Sequence, residues 1–217
     1  MVNFLLLIKK ITYFSKKEID KGTIPILIYE LCSCIREAFC LSYSIRKDNN
    51  LYLYFEREHI IIKFKGKELR YLGPDERSQA LLLGKALNKA KQINSPEYER
   101  WEKSTPGIYI KKYSDDIMFM NSFFSNNMGT YYLLLDNFKK NNKKLDIISL
   151  DKDFFAILDN DFYIISTYNF LNENTEFLEL FTTLKNIRRL SIPKVKRIEN
   201  IILYLNFHKD QQTNLKY

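Results

Sequence analysis

Short apolar runs of strand length alternate with longer apolar segments of helical period along most of this 217-residue chain, and that alternation leaves few architectures open. Phe4–Ile8, Leu51–Phe55, His59–Phe64, Ile108–Ile110, Tyr131–Leu135, Phe162–Ile165 and Arg188–Ile192 read as strands. Between them, Ile26–Ile45, Asp75–Ala90, Asp115–Phe124, Thr175–Leu184 and a last segment from Pro193 to about Asn206 read as helices. Strand alternating with helix predicts an α/β fold with a largely parallel sheet. The polar Glu56–Glu58 makes the second and third strands a hairpin, and Pro74 with Asp75 suits the first turn of a helix. Ser104–Gly107 reads as a tight turn, the Lys- and Asn-rich Asp136–Leu145 as a solvated loop, and Lys209–Tyr217 as a frayed tail. No internal repeat is visible, and the length suits one domain.

Composition narrows the function classes. Apolar residues at 46% and charged residues at 28% exclude a disordered chain or a fibre. The net charge of +8 suggests a polyanionic partner. It is concentrated in residues 1–110, where 19 basic and 13 acidic side chains leave +6, against +2 in the remainder. Cys32, Cys34 and Cys40 are too few for a disulfide framework and fit a reducing cytosol, so the expected location is cytoplasmic. They share one apolar segment, where cysteine behaves as a small core residue. Only His59 and His208 could assist them, and neither sits at ligand spacing from a Cys pair, so no metal is expected. The run Phe4–Ile8 is too short to span a membrane, and none is expected as a partner.

No Gly-rich phosphate loop or nucleophile elbow is present, and Asp115-Asp116 reads as a helix start rather than a catalytic pair. The informative residues form three polar clusters at element boundaries. They are Ala38–Asp48 with Arg46 and Asp48, Lys67–Ser78 with Arg70, Asp75, Glu76 and Arg77, and Ser104-Thr105-Pro106-Gly107-Ile108-Tyr109-Ile110. Arg46, Arg70 and Arg77 could grip phosphate, or Asp75, Glu76 and Arg77 could simply cap and pair within a helix.

In order and spacing these clusters resemble the archaeal tRNA pseudouridine N1-methyltransferases (TrmY type) of the SPOUT superfamily. Pro74-Asp75-Glu76-Arg77-Ser78 and Ser104–Tyr109 carry the most specific part of the match. The resemblance covers about residues 1–207. It implies an α/β SPOUT-type, Rossmann-like sheet with a C-terminal trefoil knot, in one domain spanning 1–217. Residues 1–110 would be the RNA-facing half, 111–207 the knot and cofactor half, and 208–217 a tail. It further implies S-adenosyl-L-methionine as cofactor, tRNA as partner, a homodimer, and N1-methylation of a pseudouridine in the T-loop. Carried over by position, Arg46 and Asp75 would be catalytic, Asp75 as organiser of the site. Arg46, Asp48, Glu76, Arg77 and Thr105 would bind substrate. Leu133, Ser166, Asn169, Leu190, Ser191 and Ile192 would hold the cofactor through three loops.

Two departures from the family pattern stand out. Its Gly-Arg-Leu-Asp run before the Cys-x-Cys helix is replaced by Ile26-Leu27-Ile28-Tyr29, and its Gly-Asp-x-x-Gly cofactor loop by Ser166-Thr167-Tyr168-Asn169-Phe170. Glycines in such loops allow positive φ or close approach to a ligand. The sequence therefore leaves two readings open: an active methyltransferase, or a catalytically degenerate paralogue acting as an RNA-binding or partner subunit.

Overall fold

The computed structural model describes residues 2–93, 100–125, 129–134, 147–149, 157, 159–167, 177, 180–181, 184, 186–192 and 195–214. Its strands are β1 (Val2–Ile8), β2 (Asn49–Phe55), β3 (Ile60–Lys65), β4 (Glu102–Thr105), β5 (Ile108–Lys112), β6 (Tyr131–Leu134), β7 (Ile147–Ser149), β8 (Phe162–Ser166) and β9 (Ile187–Ser191). The helices are α1 (Lys16–Lys21), α2 (Ile26–Phe39), α3 (Glu76–Ala90), α4 (Asp116–Ser125) and α5 (Ile198–Asn214), with a 3-10 turn at Gly66–Glu68.

One sheet orders the strands β4-β5-β3-β2-β1-β8-β6-β9-β7. From β2 through β1, β8, β6 and β9 to β7 all pairings are parallel, whereas β2-β3, β3-β5 and β5-β4 are antiparallel. The expected α/β class holds, and the parallel part is confined to one side. β1 is central and buried along its whole length, which is why it reads as an unbroken apolar run instead of an alternating one. Phe4, Leu6 and Ile8 face a core built with α2, α3 and α5, while Leu5 and Leu7 face the opposite layer.

That second layer is largely aromatic: Tyr52, Tyr54, Tyr113, Phe119, Phe123, Phe124, Tyr131, Phe162, Phe177 and Phe181 pack together. Tyr54 stacks on Phe119 with ring centroids 3.7 Å apart and planes 10° apart. Part of the chain's high aromatic content is therefore core material on the α4 face.

Helix ends follow local chemistry. Ser15 and Glu18 form a reciprocal capping box on α1, and Gly22 closes it in the left-handed conformation. Asp75 caps α3, so that helix begins one residue later than expected. α2 stops at Phe39 rather than Ile45: Cys40 turns extended and bridges Ile45, closing a tight turn in which Leu41 N–H donates to Ser44 O. α5 begins at Ile198 and continues to Asn214, beyond the expected end at Asn206, because Asn206 and Asp210 are anchored to the body of the protein. Strands β4 and β7 and helix α1 were not anticipated; each is short and lacks a clear apolar period. Of the expected helix Thr175–Leu184, Phe177, Leu180 and Phe181 are helical and the rest lies outside the described residues, as does the loop Asp136–Leu145.

Cys32 and Cys34 are buried in the α2 core; burial pushes the Cys32 thiol up to about 12 and holds that of Cys34 well above its ordinary value. Both behave as small apolar residues.

Candidate functional site

β1 and β2 start together, with Val2 opposite Asn49. The Arg46–Asp48 segment leads directly into this opening edge, and Val2 N–H donates to Asp48 O at 3.0 Å. Arg46 is turned toward α5: its guanidinium makes a two-pronged ion pair with Asp210, at 2.7 and 2.6 Å. Behind it lies a buried amide network. Asn49 Nδ2 donates to Ala38 O at 2.8 Å and to Asn206 Oδ1 at 2.9 Å, and Asn206 Nδ2 donates to Glu37 O at 2.8 Å. The end of α2 and the middle of α5 are thereby pinned to the start of β2.

The Pro-Asp-Glu-Arg-Ser cluster reaches the same edge. Asp75 Oδ1 accepts from Ser78 N–H at 2.8 Å as the cap of α3. Gly73 O accepts from Ser78 Oγ and Gln79 Nε2, and Cys40 Sγ lies 3.7 Å from it, at the bridge that precedes Arg46. Arg77 is exposed and ion-paired with Asp20 of α1, and Glu76 is half-buried. Thr105 joins through sheet register: it pairs with Ile108, Ile108 with Phe64, Phe64 with Leu51, and Leu51 with Phe4. Its hydroxyl is enclosed and has no hydrogen-bond partner among the described residues. Gly107, at φ +80, lets the Ser104–Gly107 turn close on the 3-10 turn; a Cβ there would lie 2.4 Å from Leu69 N. Arg46, Asp48, Asp75 and Thr105 are thus linked to the opening edge of the sheet, and Glu76 and Arg77 follow on the first turn of α3.

Of the residues expected to hold a cofactor, Leu133, Ser166, Leu190, Ser191 and Ile192 lie toward the opposite edge. β8, β6 and β9 are neighbouring parallel strands, and Leu134 of β6 is level with Ile165 of β8 and Leu190 of β9. Their C-terminal ends therefore open side by side. The C-terminal ends of parallel strands are where open α/β sheets form ligand crevices. The side chains of Leu133, Leu190 and Ile192 are buried in the core, so these residues offer the crevice backbone groups; Ser166 and Ser191 are half-exposed. Thr167 N–H and Oγ1 both donate to Leu7 O, at 3.0 and 3.1 Å, fixing the chain as it leaves β8. Asn169 lies outside the described residues. This set of backbone amides, small hydroxyls and apolar strand ends fits a nucleoside held by hydrogen bonds and dispersion. A seven-residue strand at a rise near 3.3 Å per residue puts this edge roughly 20 Å from Arg46 and Asp48.

On the same closing edge the structure shows a group that the sequence did not reveal. Tyr54 OH donates to Asp116 Oδ1 at 2.6 Å, and His59 Nδ1 lies 3.1 Å from the same oxygen. His59 holds a positive φ of 51°, and its carbonyl accepts from Tyr113 N–H. Of the two acidic residues read as a helix start, Asp115 does cap α4, accepting from Met118 N–H at 2.7 Å, whereas Asp116 orients the imidazole. The partners are 57 residues apart in sequence, and no local spacing signals such a contact. Among the described residues no three His, Cys, Asp or Glu side chains group closely enough to hold a metal ion, and no described helix is long and apolar enough to cross a membrane.

Comparison with known proteins identifies the family. A family model described as "Putative SAM-dependent RNA methyltransferase" matches residues 26–134, half of the chain. A protein named tRNA (pseudouridine(54)-N(1))-methyltransferase from Methanococcus maripaludis is 35% identical over 155 residues, 69% of each chain. The protein of that name from Methanocaldococcus jannaschii is 41% identical over 85 residues, 38% of this chain and 42% of the relative. This match, and that to the Methanococcus aeolicus protein at 39%, span about two fifths of the relatives' length. Among solved structures, Archaeoglobus fulgidus Nep1 bound to S-adenosylhomocysteine shares the fold, with a TM-score of 0.52 at 13% identity over 97% of both chains. With the family match over half its length and this breadth of identity, the chain belongs to the SAM-dependent RNA methyltransferase family that contains the archaeal tRNA pseudouridine-N1-methyltransferases.

Proposed function

We propose that this protein transfers a methyl group from S-adenosylmethionine to N1 of a pseudouridine in the tRNA T-loop, acting as a cytoplasmic homodimer. The observation that carries this reading is the 35% identity, over 69% of both chains, to a protein named for that reaction. In this reading residues 1–110 form the RNA-facing half and 111–207 the cofactor half, whose path makes the trefoil knot; the tail expected over 208–217 is instead helical to Asn214. The insertion of β8 between β1 and β6 supports it.

Pseudouridine presents an N1–H that uridine lacks. The N1–CH3 bond forms as the S–CH3 bond breaks, S-adenosylhomocysteine leaves, and the N1 proton passes to a neighbouring base or water. S-adenosylmethionine supplies the electrophilic methyl. The protein's contribution is positioning. The backbone of Leu133, Ser166, Asn169, Leu190, Ser191 and Ile192 holds the cofactor at the closing edge. Arg46, Asp48, Glu76, Arg77 and Thr105 hold the RNA, with Asp75 fixing the loop that carries them. Because these sets lie a strand length apart in one chain, a second copy whose opening edge faces the closing edge of the first would bring them together. Exposed Ile26 and Tyr29 of α2 and Leu203 and Phe207 of the adjoining α5 offer an apolar surface for that pairing.

The glycine-free segment Ser166–Phe170 favours one other reading, an RNA-binding paralogue without catalysis. Calorimetric titration with S-adenosylmethionine and S-adenosylhomocysteine, followed by methyl transfer to a pseudouridine-containing tRNA, separates the two. Cofactor binding and a methylated N1 support the enzyme. A chain that binds tRNA but neither cofactor nor product overturns it in favour of the paralogue.

A further inference from the structure

Two tyrosines at the opening edge serve no core. Tyr43, at the tip of the Cys40–Ile45 turn, is 103% exposed, and Tyr71, two residues before Gly73, is 78% exposed. Tyr71 also holds a left-handed backbone at φ 66, a conformation that glycine or asparagine adopts far more readily than a bulky aromatic. The sequence thus keeps a large ring in water, on a backbone that disfavours it, where it buries nothing.

The two loops are knit together. Cys40 Sγ lies 3.7 Å from Gly73 O, and the 3-10 turn packs so closely on the segment after Tyr43 that a Cβ on Gly66 would lie 2.5 Å from Arg46 O and 3.0 Å from Lys47 O. The cations of this edge divide into two sets. Arg46, Arg77 and Lys65 are ion-paired with Asp210, Asp20 and Glu68. Lys47, Lys67 and Arg70 are exposed and have no ion pair among the described residues. The patch therefore presents two rings flanked by three uncompensated positive charges.

We propose that Tyr43 and Tyr71 are base-stacking residues, and that the opening edge binds unpaired nucleotides of an RNA loop, with Lys47, Lys67 and Arg70 on the flanking phosphates. This deepens the RNA-modifying reading above and rests on it. The chemistry is specific to single strands: an aromatic face can accept only a base that is not stacked within a duplex, whereas cations alone would serve either form. A protein partner would use the rings but has no need of three free cations.

The test measures, by fluorescence anisotropy, binding of the full chain to a stem-loop RNA with an unpaired loop and to a duplex of matched composition. Tyr43→Ser and Tyr71→Asn, the latter keeping a residue tolerant of positive φ, are expected to weaken stem-loop binding by about 5- to 100-fold each, with an unchanged salt dependence. Tyr43→Phe and Tyr71→Phe keep the ring and should bind as wild type. Arg70→Ala should reduce the slope of log affinity against log salt by about 0.7. Circular dichroism melting of each variant checks that it is folded. Wild-type affinity in folded Tyr43→Ser and Tyr71→Asn, or equal affinity of the native chain for duplex and loop, overturns the stacking platform and leaves RNA binding intact. Absence of any RNA binding by the native chain overturns both.

Discussion

The Arg46–Asp210 pair is the contact through which a proposed RNA contact doubles as a strut, and its two roles can be separated. Arg46 Nη1 donates to Asp210 Oδ1 at 2.7 Å and Nη2 to Oδ2 at 2.6 Å, joining the segment before β2 to the C-terminal half of α5. Arg46 is mostly buried, at 19% side-chain exposure, but Asp210 is 45% exposed. A hydrogen bond to a charged group contributes about 1.5–3 kcal/mol when enclosed, and exposed pairs contribute about 0–1 kcal/mol. A half-exposed bidentate pair therefore falls near 1–2 kcal/mol. In a chain of this length each kcal/mol moves Tm by about 2–4 °C, so Arg46→Ala should lower Tm by about 2–8 °C. Asp210→Asn, which keeps the side-chain shape and releases the arginine, should destabilise to a similar extent. In an RNA-binding assay the two should diverge: Arg46→Ala weakens binding and flattens its salt dependence, whereas Asp210→Asn does neither. A Tm for Arg46→Ala within a degree of wild type would refute the strut. Equal losses of RNA affinity in both variants, tracking Tm, would show that Arg46 acts on the fold alone.

Four further outcomes follow from the same structure. Gly107→Ala forces a side chain into φ +80 and places Cβ 2.4 Å from a backbone nitrogen, so denaturant unfolding should show a loss of about 3 kcal/mol or more. Asn206→Leu fills the same space but leaves Glu37 O and one Asn49 proton without partners, and should cost about 2–4 kcal/mol; a neutral substitution would mean that water replaces the amide. The Cys32 thiol, raised to about 12 by burial, stays protonated in the folded state while the unfolded chain ionises near 8.5. Its contribution is thus complete below about pH 8.5 and lost as the pH rises toward 12, so stability should fall across that alkaline window. Thiol alkylation at pH 8 should then reach half-buried Cys40 before Cys32 or Cys34.

How far the sequence carried the site differs from element to element. The polar clusters around Arg46, Pro74–Ser78 and Ser104–Gly107 are contiguous in sequence, so both their existence and their family resemblance were legible. Their roles in the fold were not. Arg46 meets Asp210 across 164 residues, Arg77 meets Asp20 across 57, and Tyr54, His59 and Asp116 come together only because α4 packs under the β2-β3 hairpin. Exposure was equally hidden: Tyr43 and Tyr71 look in sequence like the chain's other tyrosines, yet Tyr52 and Tyr54 are buried and stacked.

The sequence by itself determined the class of fold, because hydrophobic period is a local property that distinguishes a strand from a helix within a few residues. It determined most strands and the caps of α3, since Asp75 and Ser78 act within one turn. Tertiary structure alone decided the strand order, the mixed pairing of the sheet, and the early end of α2. It also decided that the residues proposed to contact RNA and those proposed to hold the cofactor lie toward opposite edges. Those features depend on which distant segments satisfy each other's backbone groups and buried surfaces, and no local pattern encodes that pairing.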